Sequence, residues 1–382
     1  MSRVVAPQTL GIFGGGQLGR MMCVAAQALG FRVRVLDPDP HCPAAIVANE
    51  TITAAFDDPI AAQRLALGCV AVTVDLEKVG LPALDAAAVH APVRPSSRVL
   101  ELVQDRAVQR AWLREQGFPM PPVRPCASGA EVRDAVEAFG FPTYVKATRG
   151  GYDGRGQVRV DSAADLPAAM EMADNVPVVA EANVPYVAEL SVQVARSSTG
   201  EVACFPPAWN HHVDQILQWT LLPAPVSSEV ADAARDLGAR IAEALDVVGL
   251  LTVELFLLPD HTLWVNELAP RPHNSFHTTL SGTDTSQFAQ AVRAVTGLTL
   301  GSPRCHTATV VANLLGDLWL EDGTLGIEGA LAVPGVDVTV YGKRMARPAR
   351  KMGHLTATGA TADEALERAT EAMARLGAPI AR

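Results

Sequence analysis

The strongest constraint on the fold is the alternation of strand-like and helix-like runs in the N-terminal quarter of the chain. The apolar run QTLGIFGG is followed by GQLGRMMCVAAQALG, an amphipathic segment that stops at Gly30 and is typical of a helix. The runs FRVRVLDP and LGCVAVTV come next and are typical of buried strands. Strands that alternate with helices favour a parallel sheet covered by helices. The sequence therefore predicts an α/β fold.

The length and the charges limit the classes of protein to which the chain belongs. At 382 residues it is long enough for two or three domains with full cores. Its 31 basic and 41 acidic residues give a net charge of −10, so no basic face for nucleic acid is expected. No run of 18 residues lacks a charge, and no secretory signal is evident. We expect a soluble, cytoplasmic protein that binds neither nucleic acid nor membrane.

Local signals predict the main elements of the remaining chain. The expected elements are one helix over 101–117, two strand–turn–strand hairpins over 143–160 and 250–270, and a helix over 361–376. Gly117 is the stop signal of the first of these helices. Thr361 and Glu364 form the capping box that opens the last one.

A glycine turn joins the first strand to the first helix. Gly14, Gly16 and Gly19 have the G-x-G-x-x-G spacing, and Asp37 ends the second strand, as in dinucleotide-binding turns. A phosphate-binding G-x4-G-K-[ST] loop does not fit, because Arg20 replaces its lysine. One hypothesis is an NAD-dependent oxidoreductase or a non-catalytic dinucleotide-binding module. The other is a structural turn, or one that holds a substrate phosphate.

A second glycine loop lies inside the first predicted hairpin. Residues 149–156 contain four glycines, more than a hairpin turn requires. Glycines let backbone N–H groups approach an anion closely. Lys146, one of only four lysines in the chain, lies just before the loop. Together they indicate a clamp for nucleotide phosphates, whereas the alternative of a flexible hairpin tip leaves the nearby charges unexplained.

The second hairpin predicts two carboxylates on one face. If its turn is centred on 259–262, the opposed pairs are Leu258 with Leu263, Phe256 with Val265 and Glu254 with Glu267. Opposed residues share a face of the sheet. Two carboxylates there repel each other unless a hard cation lies between them, and Mg²⁺ prefers carboxylate and phosphate oxygens. A pair that splays into water is the alternative.

Polar residues continue directly from this hairpin. The segment 266–275 is stiffened by two prolines and carries Arg271 and His273, which makes it a candidate binding platform. A basic cluster at Arg347, Arg350 and Lys351 fits a substrate phosphate, and it fits a solvated patch equally well.

These motifs together resemble the ATP-grasp superfamily and, within it, the N5-carboxyaminoimidazole ribonucleotide synthase family of purine biosynthesis. The matching segments, in order, are GGGQLGRM, QDR, VKATRGGYDGRGQ, E-x7-E-L-S-V, N-x-H, V-E-L-F, NELAPRPHNS, SQF, NLLGD, YGK and RKMGH. They run through almost the whole chain. NELAPRPHNS and GGYDGRGQ carry most of the weight.

The resemblance implies a fold and an activity. The expected domains are a Rossmann-like domain (1–98), an ATP-grasp domain (99–303) with a mobile lid at about 120–187, and a small C-terminal domain (304–382). The resemblance implies an enzyme that uses ATP and Mg²⁺ to carboxylate aminoimidazole ribonucleotide with bicarbonate, with carboxyphosphate as the intermediate. It also implies a homodimer.

The resemblance further implies a role for each matching residue. Arg106 and Lys146 contact the phosphates of ATP, and Gly151, Tyr152, Asp153, Gly154, Arg155, Gly156 and Gln157 cover them. Glu181, Ala182, Asn183 and Val184 line the adenine, Glu189 accepts the ribose hydroxyls, and His212 lies near the phosphates. Glu254 and Glu267 hold Mg²⁺ beside Asn266. The residues that face the ribonucleotide and bicarbonate are Tyr152, Asp153, Arg155, Arg271, His273, Asn274, Ser275, Lys343, Arg350 and Lys351. Asp153, Arg155, Arg271, His273 and Asn274 are the catalytic candidates, with Asp153 and His273 orienting the amine and bicarbonate.

Some positions depart from the family's usual pattern. Phe276 and Thr278 replace a usual glycine and tryptophan, Asp75 replaces a glutamate, and Ala349 replaces a glycine. All lie toward the acceptor side, and Phe276 is expected to add bulk beside the platform. A sister ATP-grasp ligase with another acyl or carboxyl acceptor is therefore an alternative.

Overall fold

The computed structural model describes residues 7–150, 156–213, 215–319, 325–378 and 380. Its α-helices are α1 (Gln17–Ala28), α2 (Pro59–Ala66), α3 (Leu81–Ala88), α4 (Ser97–Gln104), α5 (Arg106–Glu115), α6 (Gly129–Phe139), α7 (Leu166–Asn175), α8 (Ser228–Ala244), α9 (Thr279–Gly282), α10 (Gln287–Thr296), α11 (Glu328–Leu331) and α12 (Ala362–Arg375). Short 3₁₀ helices span Pro43–Ile46, Asn274–Thr278 and Gly316–Trp319.

The strands form three sheets. They are β1 (Thr9–Phe13), β2 (Arg32–Asp37), β3 (Glu50–Thr53), β4 (Cys69–Val74), β5 (Val123–Cys126), β6 (Thr143–Ala147), β7 (Gln157–Val160), β8 (Val178–Ala182), β9 (Ala188–Arg196), β10 (Val202–Cys204), β11 (Ala208–Val213), β12 (Ile216–Leu222), β13 (Gly249–Leu257), β14 (Leu263–Ala269), β15 (Ala308–Leu315), β16 (Val336–Val340) and β17 (Lys351–Gly359).

The N-terminal sheet is parallel, with strand order β3-β2-β1-β4. One face packs against α1 and α10, and the other packs against α2 and α3. Strand residues such as Leu10, Ile12 and Val35 are fully buried between these layers. The predicted α/β architecture is confirmed.

The helix predicted over 101–117 is instead two helices. Asp105 has extended backbone angles, so α4 ends before it and α5 begins after it. Its carboxylate accepts the amide of Ala107 at 3.0 Å and caps α5, which is a role that aspartate fills better than a helix interior. The break makes Arg106 the first residue of α5, and its amide donates to the Thr148 carbonyl.

A small antiparallel sheet carries Lys146. Its strand order is β5-β8-β6-β7, and α6 and α7 cover its apolar face. The predicted first hairpin is confirmed as β6 paired with β7, with Lys146 opposite Gln157. On β8, Glu181 lies diagonally across from Lys146, a spacing that long side chains span.

A nine-stranded sheet forms the centre of the molecule. Along its main path the order is β14-β13-β9-β11-β12-β15-β17-β16, and β10 pairs with β9 at the side. Alternate residues of β9, such as Leu190 and Val192, pack with α8 in an apolar core. The intervening residues, Glu189 and Ser191, therefore face the other way. Around β9 the large sheet thus has one apolar face and one face that carries polar residues, called the polar face below.

The same sheet continues past the predicted domain boundary at 303. β15, the first strand beyond it, pairs with β12 along Trp219–Leu222. The helix α12 packs beneath β15 and β17, and Thr361 caps it as predicted. Where the domains divide stays a prediction.

The second predicted hairpin is confirmed as β13 and β14, but two of its predicted pairs are wrong. Phe256 lies opposite Trp264, and Leu257 lies opposite Leu263. A bulge in β14, at Asn266, shifts the register by one residue between this end and the glutamates. Glu254 nevertheless lies opposite Glu267. Among the helices of the described residues, none combines the length and the apolar character needed to span a membrane.

Candidate active site

The N-terminal glycine turn is filled by the protein's own carboxylates. Asp75 Oδ2 accepts the amides of Gly16 and Gly19 at 2.9 and 3.0 Å, and Asp37 Oδ2 accepts the amide of Gly15 at 2.7 Å. A Cβ atom on Gly14 would lie 1.5 Å from Asp75 Oδ1. The glycines therefore let a carboxylate approach the turn. This geometry favours the structural turn over the dinucleotide-binding hypothesis.

The polar face of the large sheet carries the two glutamates of the hairpin. Glu254 Oε1 lies 3.2 Å from His273 Nε2, and its Oε2 accepts Asn266 Nδ2 at 3.2 Å. Glu267 Oε2 lies 3.5 Å from an Nη atom of Arg106, and the Glu267 side chain is 47% exposed. The two carboxylates are thus adjacent, and Glu267 is the more accessible.

The pKa values of these two carboxyls are displaced in opposite directions. Burial alone would raise the pKa of Glu254, but the hydrogen bond and charge of His273 hold it at about 2. Partial loss of water raises the pKa of Glu267, and the Glu254 charge adds to this effect while Arg106 opposes it. A divalent cation between the two would relieve their repulsion.

The donor set fits Mg²⁺. Two carboxylates in register, with the amide of Asn266 alongside, are hard oxygen ligands of the kind that Mg²⁺ takes together with nucleotide phosphates. Among the described residues no third His, Cys, Asp or Glu joins them in a metal-binding group.

Lys146, whose positive charge acts on Glu267, is held by a buried acid. Glu181 Oε2 lies 2.6 Å from Lys146 Nζ, and Glu181 Oε1 lies 2.7 Å from Arg110. Burial would raise the pKa of Glu181, but the two cations lower it to about 2. The Glu181 carboxylate therefore orients Lys146. Arg110, which is not among the predicted site residues, also donates to the Val265 carbonyl.

A second acid–base group lies further along the polar face. Glu189 Oε1 accepts the Tyr186 hydroxyl at 2.8 Å, and Glu189 Oε2 lies 3.0 Å from His212 Nδ1. Burial would lower the pKa of His212, but Glu189 raises it. The Tyr186 ring stacks on Phe256 at 4.8 Å. Tyr186 is not among the predicted site residues, although an aromatic residue between the predicted adenine and ribose segments is a usable signal.

The other predicted ATP-side residues lie at the ends of strands. Ala182 ends β8, and its amide donates to the Pro122 carbonyl. Asn183 and Val184 follow this strand. Gln157 begins β7, and the carbonyl of the preceding Gly156 accepts the Ala147 amide. Gly151, Tyr152, Asp153, Gly154 and Arg155 lie outside the described residues.

The platform joins the hairpin to the N-terminal sheet. Arg271 Nε lies 2.7 Å from Glu77, which follows β4. Burial would lower the pKa of Arg271, but Glu77 raises it. His273 Nδ1 lies 3.2 Å from Ser275 Oγ. The platform thus contacts both the metal-site glutamate and the glycine-turn domain.

Asn274 is held by Asn313, which is not among the predicted site residues. Its Nδ2 donates to Asn313 Oδ1 at 2.8 Å. Its own Oδ1 is buried and has no hydrogen-bond partner among the described residues. That oxygen is a free acceptor at the platform.

The departures from the family pattern have structural explanations. Phe276 is fully buried and packs against Phe205 at 5.9 Å, so the expectation that it adds bulk beside the platform is wrong. Thr278 donates to the Ser275 carbonyl. Ala349 has φ of 61°, a left-handed conformation that explains the family's usual glycine.

The C-terminal cations lie near one another. Lys343 Nζ donates to the Lys351 carbonyl at 2.7 Å, and Arg350 donates to the Met345 carbonyl at 2.6 Å. Arg20, at the position where a P-loop has lysine, donates to the carbonyls of Val340 and Tyr341. The first helix therefore anchors the segment that leads to Lys343.

Comparison with protein families gives three matches in chain order. A ribonucleotide synthetase preATP-grasp domain matches residues 7–104, an ATP-grasp domain matches 111–288, and a phosphoribosylaminoimidazole carboxylase C-terminal domain matches 309–368.

Comparison with individual proteins points the same way. The chain is 41% identical to N5-carboxyaminoimidazole ribonucleotide synthase of Brucella melitensis biotype 1, over 91% of this chain and 95% of the relative. It is 38% identical to the Bacillus subtilis (strain 168) enzyme of that name, over 94% of each. A crystal structure of the Aspergillus clavatus synthase with ADP and 5-aminoimidazole ribonucleotide superposes with a TM-score of 0.91 at 31% identity, over 97% of this chain and 99% of that one.

Proposed function

Because the chain belongs to the N5-carboxyaminoimidazole ribonucleotide synthase family of ATP-grasp ligases, we propose that it carboxylates 5-aminoimidazole ribonucleotide with bicarbonate, using ATP. The observation that carries the proposal is the cross-strand pair of Glu254 and Glu267, with Arg106 beside it and the His273 platform at its edge. This arrangement combines a nucleotide-phosphate site with an acceptor site.

Bicarbonate needs activation because it has no good leaving group. In the proposed reaction one of its oxygens attacks the γ-phosphorus of ATP and ADP leaves, which gives carboxyphosphate. The exocyclic amine of the ribonucleotide then attacks the carboxyl carbon, phosphate leaves, and the nitrogen loses one proton. The contribution of the protein is positioning and charge neutralisation.

The ATP-side residues divide this work. Mg²⁺, when bound by Glu254 and Glu267, would offset the charge on the phosphates. Lys146 and Arg106 add positive charge on the same side, and Glu181 fixes where the Lys146 ammonium lies. We propose that Glu189 meets the ribose.

The acceptor-side residues hold the second substrate. We propose that the ribonucleotide and bicarbonate are faced by Arg271, His273, Asn274 and Ser275. The phosphate of the ribonucleotide is faced by Lys343, Arg350 and Lys351. The unpartnered Asn274 Oδ1 supports this assignment, since it offers an acceptor for the substrate's amine or hydroxyls. The roles of Asp153, Arg155 and the rest of the loop at 151–157 stay predictions.

An ADP-release assay tests the proposal. Purified protein is given Mg²⁺, ATP and bicarbonate, and ADP formation is followed with and without aminoimidazole ribonucleotide. We expect clear stimulation by that ribonucleotide and none by glycinamide ribonucleotide. Stimulation by the latter alone would instead identify a sister ligase with another acceptor.

We also propose a homodimer. An apolar groove between α1 and β16 is lined by Val24, Leu29, Leu280 and Val340, which are 37–52% exposed, and a second copy would cover them. Light scattering should give the mass of two chains for the wild type and of one chain for Val24→Glu, with Val89→Glu as an exposed control. A monomeric wild type would reject the dimer. The cytoplasmic location stays a prediction.

A further inference from the structure

Gln287, the first residue of α10, makes an unusual contact with the platform. Its side chain is fully buried. Its Oε1 accepts the backbone amide of His273 at 2.8 Å, and its Nε2 donates to the backbone carbonyl of the same residue at 2.9 Å. A backbone N–H only donates and a C=O only accepts, so the orientation of this side-chain amide is fixed.

The remaining capacity of the amide is also used. Gln287 Oε1 accepts Gln193 Nε2 at 3.0 Å, and Gln193 donates as well to Thr252 Oγ1 at 2.9 Å. Gln287 Nε2 lies 3.0 Å from His277 Nδ1. Since Nε2 can only donate, His277 Nδ1 must accept, which leaves the His277 proton on its other nitrogen. Burial, reinforced by His354, lowers the pKa of His277 well below its usual range, in keeping with a neutral ring.

These bonds connect the platform to the metal strand. Thr252 lies two residues before Glu254 on β13, on the same face. His273, whose backbone the amide holds, places its Nε2 3.2 Å from Glu254 Oε1. One buried amide therefore fixes the His273 backbone relative to the strand that carries the Glu254 carboxylate.

We propose that Gln287 is a positioning residue that sets the place of His273 between the metal-site carboxylate and the acceptor substrate. Gln287 acts through the His273 backbone and touches no reactant. The inference rests on the proposed function for its catalytic consequence, and on the hydrogen bonds alone for its structural consequence. The SQF segment of the sequence thereby acquires a role in the site.

The first test replaces the amide while keeping its length. In Gln287→Met we expect kcat for ribonucleotide-stimulated ADP formation to fall about 10- to 100-fold, the range seen when an outer residue that orients the groups around a metal site is lost. The KM for ATP should stay unchanged, because Lys146 and Arg106 are untouched. A crystal structure of the variant should show His273 Nε2 displaced from Glu254. A wild-type kcat, or an unmoved His273, would overturn the proposal.

A matched pair at His277 gives an answer if Gln287→Met does not fold. His277→Asn keeps an acceptor near the Nδ1 position, whereas His277→Gln keeps one near the Nε2 position, and both lose the ring. We expect kcat of the Asn variant to exceed that of the Gln variant by about fivefold, the worth of one net hydrogen bond. Equal kcat values would count against positioning by this network.

The two hypotheses fail separately. A wild-type protein that forms ADP without any response to the ribonucleotide rejects the proposed function. The crystallographic comparison of His273 in Gln287→Met still decides the positioning role, since it needs no acceptor substrate.

Discussion

Two pairs of acidic side chains, one in contact with the N-terminal turn and one in the central hairpin, differ in what their oxygens contact. At the turn, Asp75 accepts two backbone amides and Asp37 accepts the amide of Gly15. In the hairpin, Glu254 contacts His273 and Asn266, whereas Glu267 has Arg106 at 3.5 Å and is half exposed. The oxygens of the first pair are used in hydrogen bonds to backbone amides, whereas the second pair retains oxygens that can bind a ligand.

The protonation of one acid in each pair differs, since burial raises the pKa of both Asp37 and Glu267 but Asp75 and Glu254 shift in opposite directions. Burial raises the pKa of Asp75 to about 7, although its two amide bonds oppose the shift. His273 holds the pKa of Glu254 at about 2 in spite of burial. At neutral pH the hairpin therefore presents an ionised Glu254, and the turn holds a carboxyl close to half-protonation. A carboxylate pair is a candidate metal site when its charge is retained and its oxygens are accessible.

The largest expected effect is at the hairpin. Glu267→Gln removes the accessible charge, so ADP formation should fall about 100-fold, in the range seen when one electrostatic group of a reacting site is lost. The same assay on Glu137→Gln, an exposed glutamate on α6, should show wild-type rates. Thermal unfolding should be unchanged in both variants. Wild-type ADP formation by Glu267→Gln would reject the metal assignment.

The second effect concerns stability at the turn. The folded pKa of Asp75 lies above its unfolded value of 3.8, so its contribution is present below that value and is lost as pH rises toward 7. Asp75→Asn, which mimics the protonated form, should therefore gain stability relative to wild type by roughly 1 kcal/mol per pH unit between about pH 4 and 7. Urea unfolding at a series of pH values measures this difference. A pH-independent difference would show that Asp75 is ionised in the folded protein.

At acid pH the expected change in stability is at Glu254 of the hairpin. The folded pKa of Glu254 lies below its unfolded value of 4.5, so its contribution is present above that value and is lost as pH falls toward 2. Glu254→Gln should lose roughly 1 kcal/mol relative to wild type for each pH unit gained across this window. The two variants together should give slopes of opposite sign in adjacent pH ranges.

The smallest effect is expected at Asp37, which contacts the N-terminal turn. Asp37 accepts the amides of Gly15 and Asp39 at 2.7 and 2.8 Å. Asp37→Asn keeps one acceptor oxygen and should cost about 1 kcal/mol of unfolding free energy, with ADP formation unchanged. A loss of activity as large as that of Glu267→Gln would erase the distinction between the two pairs.

Much of the fold could be predicted from local pattern. The parallel N-terminal sheet, both hairpins and the final helix follow from periodicity and capping signals. Glu254 and Glu267 are opposed as predicted, but the predicted register is one residue off at the turn and the bulge at Asn266 restores this pair. The bulge at Asn266 could not be predicted, because it depends on packing rather than on alternation. The break at Asp105 has a signal in the sequence, since aspartate inside an apolar helical pattern is a typical N-cap residue.

The residues that the sequence does not reveal are those defined by distant partners. Arg110 and Glu181 are 71 positions apart, and Gln287 reaches a backbone 14 positions away. Arg110 and Gln287 do not stand out by type or spacing, whereas Glu181 stands out only through the family resemblance. The prediction that Phe276 adds bulk beside the platform is wrong, because a side chain next to a polar segment can turn inward, as this one does toward Phe205.

The pairing of β12 with β15 affects how the protein aggregates and how it unfolds on heating. If the chain ended before β15, the carbonyls and amides of Trp219–Leu222 would form an open edge, which invites association with other chains. The glutamate-bearing strands and the strand that begins at Lys351 share one continuous ladder of hydrogen bonds, with no linker between them. They should melt together as a single cooperative unit, so that heat abolishes nucleotide turnover and the arrangement of the C-terminal cations at one temperature.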